Sequence, residues 1–597
     1  MKVRVRTLPR LPLPISYQAP NGSPRPLNSR LADSLSLEDF GAIGDGTSHP
    51  LSEKFSSLLA AQRVYESATS LDDEIDTVAI QKAFDSGRAL HGSSKAYMLN
   101  KLVTATNKSF SLKGCGIDTT RFLVTSAAGG IKINITSQSE YGDPDVGGTS
   151  KYVTLVGFSM VAWMEGTEDC GEAINITYPE EDATVPGTIC VTIEDVSVHG
   201  KNYWSDEENP HWAVGLKMVN VSGLNIHNFS YVAIGDDYSS AIWIDNDNGS
   251  NCFSFNFSGI NIQGGLYGFR AHGWLEAIVW SDFTILCHKP FVVDASTASS
   301  GVALPLVVIQ SGHLNGHQTI IQINKMKTLY VADVNAAFTY VEGMTPELAK
   351  AFDFNECNDI YFHDFHVNNG FGTAEELRFF SFVACWRVFV HDGTILCTRT
   401  DERVVRGVCI TNGCQEVDIH DVTGTIEESE EHPLSMFFIQ NGGTDPKHKI
   451  KIHHNTSRGW TNDVELYDPT QVEVTDNDFS GINGKVVISG TATQPLIVER
   501  NSPADDVMFL SGAGATPTII GAPDGRVFLS DGSATNTTNF LGGRNKMQLV
   551  VATSGNRTFV HGTNLKLAGG TNYTPTLNAS IAFIFDGTAW REIWRAA

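Results

Sequence analysis

No run of about 18 apolar residues occurs in the 597-residue chain, which excludes a membrane-spanning helix. Basic residues are scarce: 42 Lys and Arg against 67 Asp and Glu leave a formal charge of −25. So acidic a chain lacks the broad positive face that nucleic-acid backbones need, and no nucleic acid is expected as a partner. Charged residues of either sign make up only 18%, whereas apolar residues reach 41%. That is enough to build a core, and a wholly disordered chain is excluded. The ten cysteines are scattered from Cys115 to Cys414 without paired metal spacing. Cys409 and Cys414 are the closest pair, and no His-Cys cluster completes a zinc site around them. They read as plain buried thiols, and no metal or cofactor is expected. At the N-terminus Arg4, Arg6 and Arg10 interrupt any apolar stretch, so no signal-peptide core is present. The chain is expected to fold in a reducing cytoplasm, although it need not act there.

Helical periodicity is confined to the first hundred residues. Residues 1–35 carry Pro9, Pro12, Pro14, Pro20, Pro24 and Pro26 among six basic residues and read either as an extended arm or as a disordered tail. Residues 53–66 and 76–89 show helical spacing. Leu58, Ala61 and Val64 share one face, Val78, Ala79, Ala83 and Phe84 another, with Asp76 as the expected N-cap. Beyond residue 100, short alternating segments punctuated by Gly, Asn and Asp take over.

An eight-residue window recurs through that region: VTIEDVSV (191–198), IVWSDFTI (278–285), LYVADVNA (329–336), IYFHDFHV (360–367), VFVHDGTI (388–395), VDIHDVTG (417–424), IKIHHNTS (450–457) and VEVTDNDF (472–479). Its fifth position is Asp195, Asp282, Asp333, Asp364, Asp392, Asp421, His454 and Asp476. The later spacings are 31, 28, 29, 33 and 22 residues; the first two, 87 and 51, correspond to three such steps and two. A unit this short cannot bury its own apolar face, but stacked on copies of itself it can. The pattern predicts an all-β fold, a right-handed parallel β-helix with coils about 4.8 Å apart. A propeller would need longer four-stranded units with Gly-His and Trp-Asp marks, which are absent. The Asp ladder reads as turn chemistry, because a site needs two or three groups rather than eight along an axis. His363, His391, His420 and His453, beside it, read the same way. An open β-helix exposes sheet edges. Residues 36–100 are therefore expected as a helical N-terminal cap, 101–500 as the β-helix, and the Gly-rich 501–597 as a separate β-rich capping and oligomerising domain.

The segment Asp39-Phe40-Gly41-Ala42-Ile43-Gly44-Asp45-Gly46-Thr47, followed by Asp76-Thr77-Val78-Ala79-Ile80-Gln81-Lys82-Ala83, resembles the opening of the pectate-lyase-like superfamily, in particular its phage tailspike and polysaccharide depolymerase members. Some 28 residues (48–75) intervene here, more than is usual there. Leu567-Ala568-Gly569-Gly570 and Phe585-Asp586-Gly587-Thr588-Ala589-Trp590-Arg591-Glu592 are similar to the small β-domain that ends many such proteins. The resemblance implies a homotrimer on a virion tail or baseplate, attached through the N-terminal arm, assembled in a host cytoplasm and acting on bacterial surface polysaccharide. A bacterial polysaccharide-modifying enzyme of the same superfamily is the other reading.

Glycoside hydrolysis needs two carboxyl groups about 5–9.5 Å apart, and acids one or two coils apart in a β-helix meet that range. Residues 203–294 hold Trp204, Trp212, Trp243, Trp274 and Trp280, half of all ten tryptophans, and aromatic faces bury well against sugar rings. The acids of this stretch include Asp236, Asp237, Asp245, Asp247, Glu276 and Asp294. Aligning SAIWIDND (240–247) with LYGFRAHG (266–273) sets Asp245 beside Ala271 and Asp247 beside Gly273, one coil on. Glu276 is the expected general acid and Asp245 or Asp247 the base or nucleophile, with Asp236 and Asp237 in reserve. Trp204, Trp212, Trp243 and Trp274 are the expected sugar platforms, and Arg270 and His272 the groups for an acidic sugar or the leaving oxygen. Two other acid clusters compete, Asp353/Glu356/Asp359 and Asp206/Glu207/Glu208. A lyase would need a base beside a charge-neutralising cation; the loop Asp245-Asn246-Asp247-Asn248-Gly249 is only superficially a calcium loop, since Asn256 stands where Glu would close it. A glycan-gripping fibre without catalysis is the third reading.

Overall fold

The computed structural model describes residues 16–17, 25–26 and 34–595 except 137–150, 165–168, 180–190, 203–209, 234–237, 247–251, 274, 296–305, 340–347, 372–375, 399–403, 428–433, 441–448, 468–470, 481–483, 490–495, 500, 502–507, 512–514, 518–525, 531–535, 542, 544, 554–556 and 577–578. The chain divides into two compact units, one formed by Met1–Pro179 with Thr188–Ala213, the other by Glu180–Gly187 with Val214–Ala597. Of the Pro-rich arm, Ser16–Tyr17 and Arg25–Pro26 pair antiparallel.

In the first unit, helices Leu58–Gln62 and Ile75–Asp85 precede parallel strands. The first is shorter than its periodicity suggests. Val64 lies outside it and exposed, and Tyr65 turns inward instead. The second buries Val78, Ala79, Ala83 and Phe84 as expected, with Phe84 edge-on to Phe110 at 4.6 Å. Asp76 is not its N-cap: Glu74 holds that position, and the Asp76 carboxylate points away from the helix start. It accepts from the backbone N–H of Ile43 (2.5 Å), Gly44 (3.2 Å) and Met98 (3.0 Å). Asp76 therefore clasps the Gly-rich opening turn, the helix and the strand Ala96–Leu99 together. Burial pushes its carboxyl up while those three donors pull it down. Beyond the clasp, Phe110–Lys113 and Arg121–Val124 both pair with Val153–Ala162, which pairs in turn with Val191–Gly200, all in parallel.

The second unit repeats a two-strand coil. A long strand pairs with its counterpart one coil on, from Leu224–Ala233 and Cys252–Gly264 through Glu416–Ile426. The shorter strands Trp212–Val219 (from Val214 on), Ser240–Asn246, Tyr267–Gly273 and Lys289–Asp294 pair in a second parallel sheet. Both are parallel β-helix stacking; buried and partly exposed residues alternate in long strands such as Glu416–Ile426 as the window pattern requires, whereas Leu434–Gln440 of the second sheet is buried at its first six positions. In the second sheet parallel pairing runs on past residue 500 to Gln548–Thr553, and antiparallel pairing begins with Ser580–Phe585 and Trp590–Arg595.

The repeat position is a corner. All eight ladder residues have φ between 51° and 58°, in the left-handed region that short polar side chains tolerate. The long gaps are filled as their lengths imply: Asn228, Gly259 and Ser311 adopt the same conformation at steps of 33, 31 and 23 residues across the first gap and 29 and 22 across the second. Strand register skips this residue, so that Ala332 pairs with His363 and Val334 with Phe365 while Asp333 and Asp364 stand clear. Beside the corner, His363, His391, His420 and His453 stack with ring centroids 5.1, 4.9 and 5.1 Å apart. The first three each hold the next aspartate through Nδ1 at 2.7 or 2.8 Å. Further on, Asn455, Asn477 and Asn501 form an internal ladder. Each donates its amide to a backbone carbonyl of the preceding coil, and Asn477 and Asn501 accept a backbone N–H from that coil. Eight cysteines, Cys115, Cys170, Cys287, Cys357, Cys385, Cys397, Cys409 and Cys414, are free thiols, all buried except Cys115; burial pushes Cys170 and Cys287 up to about 12.

Candidate functional site

The candidate region lies on the outward face of the second sheet in the second unit. Asp245 projects from Ser240–Asn246, His272 from the next strand and Asp294 from the one after, in direct register. The sequence alignment was off by one residue: Asp245 pairs with His272, not Ala271, and Asn246 with Gly273. Alternation explains the error. Ala271 is buried while Asp245 faces outward, and a one-residue slip exchanges the two faces. Asp245 Oδ1 lies 3.5 Å from His272 Nδ1, with the two side chains 16% and 29% exposed.

Two residues back along the same face is a second file. Lys217, Trp243 and Arg270 are register partners, as are Tyr267 and Lys289. Lys217 Nζ lies 4.4 Å from the Trp243 ring centroid and the Arg270 guanidinium carbon 4.6 Å from it. The same guanidinium is 5.1 Å from the Tyr267 centroid, and Lys289 Nζ is 5.5 Å from it. Lys217, Tyr267 and Lys289 escaped the sequence reading; the signal that could have found them is the coil period applied at every outward position, not at the acids alone.

Glu276 is partly exposed at the start of the strand Leu275–Cys287, past Gly273 and so on the other sheet from Asp245. Its neighbour Ala277 has φ 59°, a conformation that costs a residue with a Cβ about 1–2 kcal/mol. Trp212 is a correction. It is 1% exposed, and its Nε1–H donates to the carbonyl of His199 at 3.2 Å inside the first unit, so its ring offers no face to a sugar. Trp280 is likewise core, stacked on Phe257 at 4.3 Å and edge-on to Phe291 at 4.8 Å. At Trp212 and Trp280 the tryptophan enrichment of 203–294 therefore reflects packing. Trp204, Asp236, Asp237, Asp247 and Trp274 lie outside the described residues.

In one competing cluster each acid faces a cation: Lys350 lies 2.9 Å from Asp353, Arg387 holds Asp359 by two bonds of 2.6 and 2.7 Å, and Lys325 is 3.9 Å from Glu356. Asp206, Glu207 and Glu208 lie outside the described residues. No group of three or more metal-ligating side chains converges among the described residues.

No family model and no curated protein matches the chain. Among solved structures it is similar to the tailspike protein gp49 of Pseudomonas phage LKA1, at 14% identity and TM-score 0.37 over 93% of this chain and 97% of that one. It is similar to the tailspike gp61 of Pseudomonas phage phi297, at 13% identity and TM-score 0.23 over 90% and 87%. A GH87 alpha-1,3-glucanase catalytic unit from Streptomyces thermodiastaticus matches at 11% identity and TM-score 0.23 over 82% and 70%. At these values the activities of those proteins do not carry over to this chain.

Proposed function

We propose that the chain is a phage tailspike that binds and hydrolyses a polysaccharide of the bacterial surface on the outward face around Asp245. The observation that carries this is the register Asp245–His272–Asp294. It sets two carboxyl groups two coils apart, with backbones about 10 Å apart, on a face that also presents a partly exposed Trp and Tyr. Side chains leaning from such positions span the separation that admits a water between carboxyl groups. One carboxyl protonates the glycosidic oxygen, the other takes a proton from the attacking water, and His272 between them orients Asp245. Glu276 is the alternative acid, favoured by the strained corner at Ala277. The homotrimer, with the N-terminal arm toward the virion, belongs to the same proposal and is supported by the resemblance of the two chain ends.

The test is incubation with purified capsules, exopolysaccharides and lipopolysaccharides, with products read by mass spectrometry. Oligosaccharides gaining one water per cut support hydrolysis. Products bearing a 4,5-unsaturated uronate mean a lyase, and an intact polymer that binds means a gripping fibre; either outcome overturns the hydrolase. Asp245→Asn and Asp294→Asn should each lower turnover by about 10²-fold or more with binding retained. If Glu276→Gln does so and Asp294→Asn does not, the acid is Glu276.

A further inference from the structure

We infer that Lys217, Trp243, Arg270, Tyr267 and Lys289 form a subsite for a carboxylate-bearing sugar, so that the polymer is acidic. This rests on the polysaccharide reading above. Cation and ring alternate across neighbouring coils, and Arg270 touches both rings at 4.6 and 5.1 Å. A guanidinium over an aromatic face is held in place while its in-plane N–H donors stay available, and those donors match a carboxylate bidentately.

Among the described residues no carboxylate pairs with Arg270 or Lys289. Four arginines further along the second unit are neutralised: Arg378 by Glu376 at 2.7 Å, Arg387 by Asp359 at 2.6 Å, Arg406 by Glu376 at 2.8 Å, and Arg458 by Asp478. At a net charge of −25, Arg270 and Lys289, without a carboxylate partner among the described residues and set beside partly exposed rings, are positioned for an anion that comes from outside. The Trp243 ring stays partly exposed between the cations of Lys217 and Arg270. The file lies two residues from Asp245 and His272, about 7 Å along the strand, one sugar's reach from the carboxyl groups.

The experiment pairs each polysaccharide of the panel in its native form and after chemical reduction of its carboxyl groups to alcohols. Binding is measured by surface plasmon resonance at low and high salt. The polymer that binds should contain uronic or other carboxylated sugars, and reduction should weaken binding at least tenfold. Arg270→Gln should weaken native binding about tenfold and leave binding to the reduced polymer unchanged. Arg270→Lys, which keeps the charge but loses the fork, should fall between. Unaltered circular dichroism and melting temperature show that the variants fold. Binding of a neutral polymer, or binding that survives carboxyl reduction, overturns the acidic subsite and leaves the polysaccharide reading intact. Failure of every polymer to bind overturns that reading itself.

Discussion

A side chain with a Cβ at φ near +55° costs about 1–2 kcal/mol unless a short polar group compensates, and this single dihedral writes the Asp ladder into the sequence. Asp392→Ala should therefore destabilise the protein by about 1 kcal/mol, and Asp392→Gly by less, in urea melts. Equal losses would mean that the Asp392–His391 contact, not the backbone, governs the position. The ladder was legible because one backbone requirement recurs eight times. The site was not, because Trp243, Arg270 and Asp245 occur once each and only the register shows what they face. Another residue-scale effect is acid–base. His49 lies between Glu53 and Asp45, with both ring nitrogens 2.9 Å from a carboxylate, and these acids raise its imidazole to about 9. An unfolded His titrates near 6.5, so the stabilisation is whole below that pH and is lost as pH rises through about 9. The trio is largely exposed and the effect is small. The melting temperature should decline between about pH 6.5 and 9, and His49→Gln should remove that part of the slope. An unchanged slope in the variant would contradict the assignment.

Elements are legible where their pattern is periodic and misread where a side chain acts across elements. The helix Ile75–Asp85 shows its buried face in the sequence, yet Asp76, which local rules make a cap, instead joins the opening turn to a strand. Local sequence carries no trace of the partner, because Met98 is 22 residues away. Asp76→Ala leaves buried N–H groups of Gly44 and Met98 without acceptors and should cost about 3 kcal/mol. Asp76→Asn, which keeps one oxygen, should cost less. A loss below about 1 kcal/mol in the alanine variant, read by chemical denaturation of the full chain, would contradict the clasp. The shorter first helix has the opposite cause: its apolar spacing is real, but Tyr65 rather than Val64 finds the interior. The one-residue register error arises where alternation breaks: Ala241–Ile242 and Gly268–Phe269 are each two buried residues in succession, so the period of two does not fix the pairing there.

At the scale of the whole molecule, light scattering should give three chains per particle, and a monomer at working concentration would remove the trimer from the proposal. The proposal as a whole stands on a glycan lying along the outward file of the second unit. The most direct measurement is a crystal or cryo-electron microscopy structure of the Asp245→Asn variant with an oligosaccharide cut from the polymer that the protein binds. Sugar density is expected over Trp243 and Arg270, with a glycosidic oxygen between residue 245 and Asp294. An oligosaccharide bound on any other face, with this file bare, would contradict the proposal.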